Sequence, residues 1–571
     1  MQKTNENLLL RNTKYGKVLG KSEGGGFVWY NVPYGKESSG ELRWQPPRDP
    51  DKWDGVFDAS APREDALQPS ADWQSVIGTE NCLNLDIYSP RGDSELLPVL
   101  VFLHGGNNQT GTSREVIGCH LAVKENIVVV CINHRLGLFG FNCLPAILTE
   151  ENKSGNFALL DIAKALDWVK ENIAQFGGDP ENITLSGFSA GGRNVMAALI
   201  SPLFKGKFHK AAVFSGGMTT AEPEESARKT AEFLAKLVVE DRIRETEEEA
   251  VRWLLCEEKN QVREYLYSIP SERLAGLIGG AGIRMSGFPH LFSDGITLPE
   301  NGFDTEIYND VPVMMLSGTT EFSMFALGDP FLLEPQMMQY SARYRLRAAL
   351  FAGRYGSRMY RYFNTDASAQ RMAEHYQSPL YLCSVNYGNE DSPCPIPRMG
   401  AFHGIFLAMI YPETSAAENV PEGTFESASY RGMADIFCKY LKNFLYTGNP
   451  NEFPDAHTES IDNRTENTDD LKQYSDNSEC AALQEKTENV VSDGFVHWSA
   501  WTSNDRVSLV FDGLENQGTV AVKYYDDSME KIMEDMDADT SIPEELKLLV
   551  IRNILNGRWF SEAVDRTYQK R

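Results

Sequence analysis

The sequence predicts an α/β protein in which one large, mostly parallel sheet is flanked by helices and preceded by a small N-terminal antiparallel meander. Three observations lead there. Strand-like apolar runs at 99–103, 127–133, 183–186, 211–214 and 313–317 alternate with helical patterns, which is what βαβ units produce. Between two of these runs Leu159, Ile162, Ala163, Leu166, Val169 and Ile173 recur at helical spacing, interrupted only at Lys170, so a helix with one buried face is expected. Residues 15–53 instead alternate apolar and polar side chains and are broken by Gly24, Gly25 and Gly26, the pattern of short antiparallel strands.

The other segments follow from composition. The helix around Leu166 should stop at Gly177 and Gly178. Residues 224–275, rich in Glu, Lys, Arg, Ala and Leu, read as surface helices inserted between strands, with a solvated charged face. Residues 452–495 are polar and acidic and read as an exposed loop insertion. Residues 523–571 read as an acidic loop followed by helix, with Leu546, Leu549, Val550 and Ile554 on one face. The expected organisation is a single catalytic-sized domain over 1–522 that carries the 452–495 insertion. The 523–571 tail packs on it or lies at its periphery.

The chain has 571 residues, 42% of them hydrophobic, enough for a large core. Its formal net charge of −27 argues against nucleic acid as a partner, because that binding relies on clustered Lys and Arg. The same charge opposes an anionic membrane surface. No apolar run approaches the roughly 18 residues of a membrane span, and residues 1–15 hold only a three-leucine cluster, too short for a signal peptide's apolar region. Nine cysteines without a CxxC pair read as reduced thiols in a cytoplasmic protein, not as zinc ligands. Cys119, Cys131 and Cys383 are expected in the core.

One motif carries chemistry. GFSAG at 187–191 follows the strand at 183–186 and leads into the helix-compatible 195–200. A sharp strand-to-helix turn of this kind presents a serine hydroxyl above the sheet, and the flanking glycines permit the tight backbone. The same spacing occurs in GKSEG at 20–24, but Ser22 lies between polar strands with no helix after it and reads as a turn. Ser189 is therefore the candidate nucleophile. HGGNN at 104–108 follows another strand and could supply backbone donors for an oxyanion. A base and an acid must come after the serine in this architecture. Six of nine histidines do. His209 sits among lysines, His375 in a polar helical stretch, and His457 and His497 in or beside the acidic segment. His290 and His403 remain, and pattern alone does not separate them.

At this point the chain resembles a known family, the type B carboxylesterases, which include the cholinesterases and bacterial para-nitrobenzyl esterases and share the α/β-hydrolase fold. The likeness runs from about Tyr15 to Gly513. It is carried by WYNVPYG at 29–35, LRWQPP at 42–47, ENCLNLDIY at 80–88, NHRLGLFGF at 133–141, GNFALLD at 155–161 and, most specifically, QFGGDPENITLSGFSAGG at 175–192.

The resemblance implies Ser189 as nucleophile, His403 of GAFHG (400–404) as base, and Glu321 of SGTTEF (317–322) as the orienting acid. That turn is two residues shorter than the family's usual one. Asp294, in FSDGITLP, matches a structural motif instead. Gly106, Asn107 and Ala190 are the implied oxyanion donors. Three departures stand out. Asn107 replaces a glycine, although Asn tolerates positive φ well. Phe188, which lines the substrate pocket, replaces a glutamate before the nucleophile. And no cysteine precedes Cys82, which secreted members pair with one upstream. The implied function is hydrolysis of small neutral carboxylic esters through an acyl-enzyme, with a small-molecule ester as partner and no cofactor or metal. The alternative is a non-catalytic binding or adhesion protein of the same fold.

Overall fold

A twelve-stranded sheet organises the chain. The computed structural model describes residues 8–90, 95–150, 152–256, 259–285, 287–453, 488–491 and 496–568. In chain order the strands are β1 (Lys21–Glu23), β2 (Gly26–Pro33), β3 (Asn84–Ser89), β4 (Leu97–Leu103), β5 (Val128–Ile132), β6 (Gly178–Phe188), β7 (Lys210–Phe214), β8 (Val313–Gly318), β9 (Leu380–Val385), β10 (Glu488–Val491), β11 (Val507–Leu514) and β12 (Gln517–Tyr524). Across the sheet they lie in the order β10-β12-β11-β9-β8-β7-β6-β4-β5-β3-β2-β1. From β11 to β5 every neighbour is parallel. The strands outside that block are antiparallel.

The N-terminal region divides between two sheets. Leu10–Asn12 and Lys17–Leu19 form an antiparallel pair that Val56–Asp58 extends in parallel, while β1 and β2 form a hairpin at the edge of the large sheet. Ser22 therefore lies in edge strand β1, opposite Phe27, and not in a turn.

Successive residues of a strand point to opposite faces, and here both faces are covered. Val99, Val101 and Leu103 of β4 join one core, Leu100 and Phe102 the other. Strands buried on both sides read as continuous apolar runs, which is why this block shows in the sequence. Helices α1 (Phe157–Asn172) and α2 (Ala190–Ile200) cover the first face through Leu159, Ile162, Leu166, Val195 and Leu199. After α1 a short 3-10 turn, Ile173–Phe176, ends at Gly177 with φ 87°. Two further helices, α3 (Ala342–Tyr362) and α4 (Ala428–Thr447), lie later in the chain. The second of them covers the other face through Phe437, Leu441 and Phe444.

Residues 223–275 do form helices, Pro223–Glu240, Glu247–Cys256, Lys259–Ser268 and Ser271–Ala275. Their charged faces are solvated, yet Leu234, Val238, Trp253 and Leu266 are part of the first core. Most of the acidic segment, 454–487 and 492–495, lies outside the described residues. Its roots are tied together, since Asn451 Nδ2 donates to the Trp498 carbonyl at 3.0 Å and Trp498 N–H to Asn451 Oδ1 at 2.8 Å.

Beyond β12 the tail folds into α5 (Met529–Ala538), α6 (Glu544–Val550) and shorter turns. Ile532, Met536, Leu546 and Val550 pack with Phe351, Tyr355 and Met359 of α3 in a third core. A buried ion triad fastens the end of the chain: Asp329 Oδ2 accepts from Arg558 Nη2 at 2.9 Å and from Arg284 Nη2 at 3.0 Å. Phe560 stacks edge-on against Phe322 and Tyr360.

Removing one partner of a buried ion pair leaves an uncompensated charge, typically at a cost of about 3–5 kcal/mol. Asp329→Asn is expected to destabilise the protein by that order, read from denaturant unfolding. A loss under about 1 kcal/mol would mean that the tail is not held by this carboxylate.

Candidate active site

Ser189 occupies the junction of β6 and α2 with φ 54° and ψ −114°, a conformation that a serine adopts only under compulsion. Its N–H donates to the Phe214 carbonyl of β7 at 2.9 Å. The two glycines of the motif are needed for contact: a Cβ on Gly187 would meet the carbonyl carbon of Gly191 at 2.4 Å, and one on Gly191 would meet the Leu103 carbonyl oxygen at 2.2 Å. Ser189 itself is 5% exposed.

The loop after β4 runs beside this elbow. Gly106 has φ 91°, and Asn107 and Asn108 have φ 54° and 56°, so Asn107 takes up the left-handed backbone that glycine would adopt most easily. Its side chain is held by two bonds: Oδ1 accepts from Arg193 Nη2 at 2.7 Å, and Nδ2 donates to Gln109 Oε1 at 3.1 Å. Among the described residues the N–H groups of Gly106, Asn107 and Ala190 have no protein acceptor.

Glu321 lies just beyond β8 and is 1% exposed. Its Oε1 accepts from Ser215 Oγ at 2.5 Å, from Gly318 N–H at 2.6 Å and from Ser317 Oγ at 3.3 Å, and its Oε2 accepts from His403 Nδ1. The short turn thus still brings the carboxylate to the imidazole. The His403 ring lies 4.7 Å from the ring of Phe188, the residue before Ser189, and its Nε2 is buried without a partner. In unliganded sites such a nitrogen often closes on its hydroxyl only with substrate.

The competing residues sit elsewhere. His290 is fully buried, with Nδ1 on the Phe288 carbonyl at 2.9 Å, and burial keeps it neutral. Asp294 accepts the N–H groups of Ile296, Thr297 and Leu298 and caps a loop. Asp329 belongs to the ion triad.

Three neighbours were invisible to motif reading. Tyr360 of α3 places its hydroxyl 3.2 Å from the Ser215 carbonyl and 3.3 Å from His403 Nδ1. Arg193 lies on α2, one turn past Ser189. Glu115 lies under the loop, where its Oε2 accepts from Gly105 N–H at 2.8 Å and the ring of Phe188 lies close to the same glycine. No motif marks any of them, because each meets the site through a long-range contact. Among the described residues no cluster of His, Cys, Asp and Glu could hold a metal, and no helix is long and apolar enough to cross a membrane.

The carboxylesterase family model matches residues 8–350, more than half of the chain. This protein belongs to the carboxylesterase family. It is 41% identical over 237 residues to the para-nitrobenzyl esterase of Bacillus subtilis, an alignment covering 40% of this chain and 48% of that protein. It is 37% identical over 236 residues to the acylcarnitine hydrolase of Rattus norvegicus, covering 38% and 41% respectively. The alignments therefore span about half, or less, of these curated relatives. Among solved structures, a PNB esterase superposes with a TM-score of 0.63 and a Geobacillus stearothermophilus carboxylesterase with 0.66. Each is 25% identical, and each alignment covers 92% of this chain and 99% of the other. The chain shares their α/β-hydrolase fold.

Glu115, beside this site, is one group through which stability depends on pH. Burial pushes its carboxyl up to about 7, against the opposing pull of the Gly105 N–H. A carboxyl raised above its unfolded value holds a proton that the unfolded chain has released, so stability falls as pH rises from about 4.5 to about 7. Glu115→Gln keeps an acceptor for Gly105 without the charge. Its melting temperature is expected to match the parent near pH 5 and to exceed it by a few degrees at pH 8. A gap independent of pH would show that Glu115 is ionised throughout.

Proposed function

We propose that the chain is a serine carboxylester hydrolase. The observation that carries this reading is the Glu321–His403 contact beside a strained Ser189 and three backbone N–H groups without protein acceptors. Ser189 Oγ attacks the ester carbonyl while His403 Nε2 takes its proton; Glu321 fixes the tautomer and stabilises the imidazolium. The N–H groups of Gly106, Asn107 and Ala190 receive the negative charge that develops on the carbonyl oxygen. His403 then protonates the leaving alcohol, and water, activated in the same way, releases the acid. The para-nitrobenzyl esterase and acylcarnitine hydrolase relatives support the reaction class.

The substrate class is small carboxylic esters. Phe188 stands where a glutamate would supply a negative charge beside the chemistry, so the Coulombic attraction for a cationic alcohol is lost. The non-catalytic alternative needs a lost nucleophile or base, and both positions are filled. The net charge of −27 speaks against nucleic acid as a partner. We also infer a reducing, cytoplasmic setting, supported by the burial of Cys82, Cys131 and Cys383 as thiols. Thiol titration of the unfolded chain without reductant should count nine cysteines, and a lower count would argue for an oxidising compartment.

A fluorophosphonate is expected to label the protein at Ser189 and nowhere else in the chain. Ser189→Ala should lower kcat by about 10⁶-fold, with His403→Ala close behind and the double variant little worse, since such residues act as a unit. Glu321→Gln should cost about 10⁴-fold through the wrong tautomer while labelling persists slowly. Near-normal turnover by Ser189→Ala would overturn the mechanism. Near-normal turnover by Glu321→Gln would remove only the acid.

A further inference from the structure

The proposed reaction gives Arg193 only one task, holding the Asn107 side chain through Nη2. Arg193 lies in the first turn of α2, four residues after Ser189, which stands just before the helix. It is 0% exposed. One donor, on Nη2, binds Asn107 Oδ1 at 2.7 Å, and Nη1 reaches only the Met285 thioether at 3.6 Å. Its Nε–H has no acceptor. The Trp559 ring lies 4.5 Å from the guanidinium carbon. Among the described residues no carboxylate forms an ion pair with Arg193, and burial lowers its affinity for the proton, to a pKa of about 10. The nearby carboxyl group of Glu321 is already engaged by Ser215, Gly318, Ser317 and His403.

A buried, unpaired guanidinium is strongly unfavourable. Its contacts with Asn107, Met285 and Trp559 do not account for it. Packing on Trp559 would be served as well by an aliphatic chain, since apolar replacement of buried charge is often neutral or stabilising. Holding Asn107 occupies one of five N–H donors. Through its Nη2 bond the guanidinium adjoins Asn107, whose N–H faces the place where a bound ester must put its carbonyl, its Nε–H is left without an acceptor, and a planar fork of this kind matches a carboxylate.

We propose that Arg193 forms a carboxylate-binding subsite and that the preferred substrate is an ester bearing a second, free carboxylate on its acyl or alcohol part. The inference rests on the esterase reading and narrows its substrate class. The chain's overall negative charge does not oppose it at close range. Surface charge is screened beyond about 8 Å at physiological ionic strength, whereas a buried pair is screened far less.

Two matched pairs of esters test this. One sets 4-nitrophenyl hexanoate against the 4-nitrophenyl half-ester of adipic acid, with the charge on the acyl side. The other sets 4-methylphenyl acetate against 4-acetoxybenzoate, with the charge on the alcohol side. The protein should prefer the anionic member of at least one pair by about tenfold or more in kcat/KM, the size expected of one charge-assisted contact. Arg193→Met should abolish that ratio, whatever its absolute turnover, and Arg193→Lys should restore part of it. Adipate should also protect Ser189 from a fluorophosphonate in the parent but not in Arg193→Met. The parent's ratios and the adipate protection decide the matter even if the variant does not fold. No anionic preference in either pair, or an unchanged preference in Arg193→Met, overturns the subsite. If neutral esters are still cleaved and Ser189 still labels, the esterase reading stands without it. If no ester is cleaved and Ser189 does not label, both fall.

Discussion

The backbone of Ser189 is the constraint on which the site depends. Holding a serine at φ 54° and ψ −114° costs about 1–3 kcal/mol, and such strain persists only where the surroundings over-determine it. Here they do. The Ser189 N–H is bound to β7, Gly191 presses on the end of β4, and Gly192 packs against Gly216 just beyond β7. Three neighbouring parallel strands therefore set the position of one hydroxyl. Their register is itself locked, because a slip by one residue would exchange the two core faces of every strand.

The Glu321–His403 pair is built differently. Its carboxylate is fixed by the last two residues of β8 and by Ser215 after β7, while its imidazole comes from a loop 82 positions away in sequence. A Cβ on Gly318 would meet the Ala401 carbonyl oxygen at 2.4 Å, and Thr320 N–H donates to that same oxygen at 3.3 Å. The turn after β8 and the loop of His403 thus share one close backbone contact. This explains how a turn shortened by two residues can still deliver its carboxylate, because the partner loop is bonded to the turn itself. Hydrogen bonds to both oxygens of Glu321 make its burial tolerable.

Some of this was legible in the sequence and some was not. The block β4 to β8 could be read because its strands are buried on both faces and so lack polar interruptions. The outer strands β11 and β12 alternate with Ser508, Asp512, Thr519 and Lys523, and they blur into the acidic segment beside them. Helices at 223–275 were recognisable, but their buried stripe of Leu234, Val238 and Trp253 was masked by surrounding charge. The elbow of Ser189 and the loop at Asn107 were local signals, with glycines where the elbow needs close contact and Gly or Asn where the loop needs positive φ. Choosing His403 over His290 needed the family likeness, since nothing local distinguishes them. Tyr360, Glu115 and Arg193 had no signal at all. A long-range contact leaves no period in the sequence, and one buried arginine on an otherwise apolar helix looks like an exposed one until the fold closes over it.

The arrangement separates chemistry from selection. Ser189, the N–H groups at Gly106, Asn107 and Ala190, and Glu321 stand near strand ends or helix starts of the sheet and lie within the part of the chain that the family model matches, whereas His403 comes from beyond it. The walls around Arg193 and Tyr360 come largely from elsewhere. Trp559 and Phe560 belong to the tail, Tyr360 to the end of α3, and Met285 to the stretch that bonds back to Gly557. The tail is fastened by Arg558 and Asp329, which touch neither Ser189 nor His403. Binding contacts can therefore change on the tail and α3 without disturbing the strained elbow, which stays fixed by sheet register. An unpaired arginine beside the elbow fits that division: it adds nothing to the relay of Ser189, His403 and Glu321, and its charge has a counterpart only if the molecule being cleaved brings one.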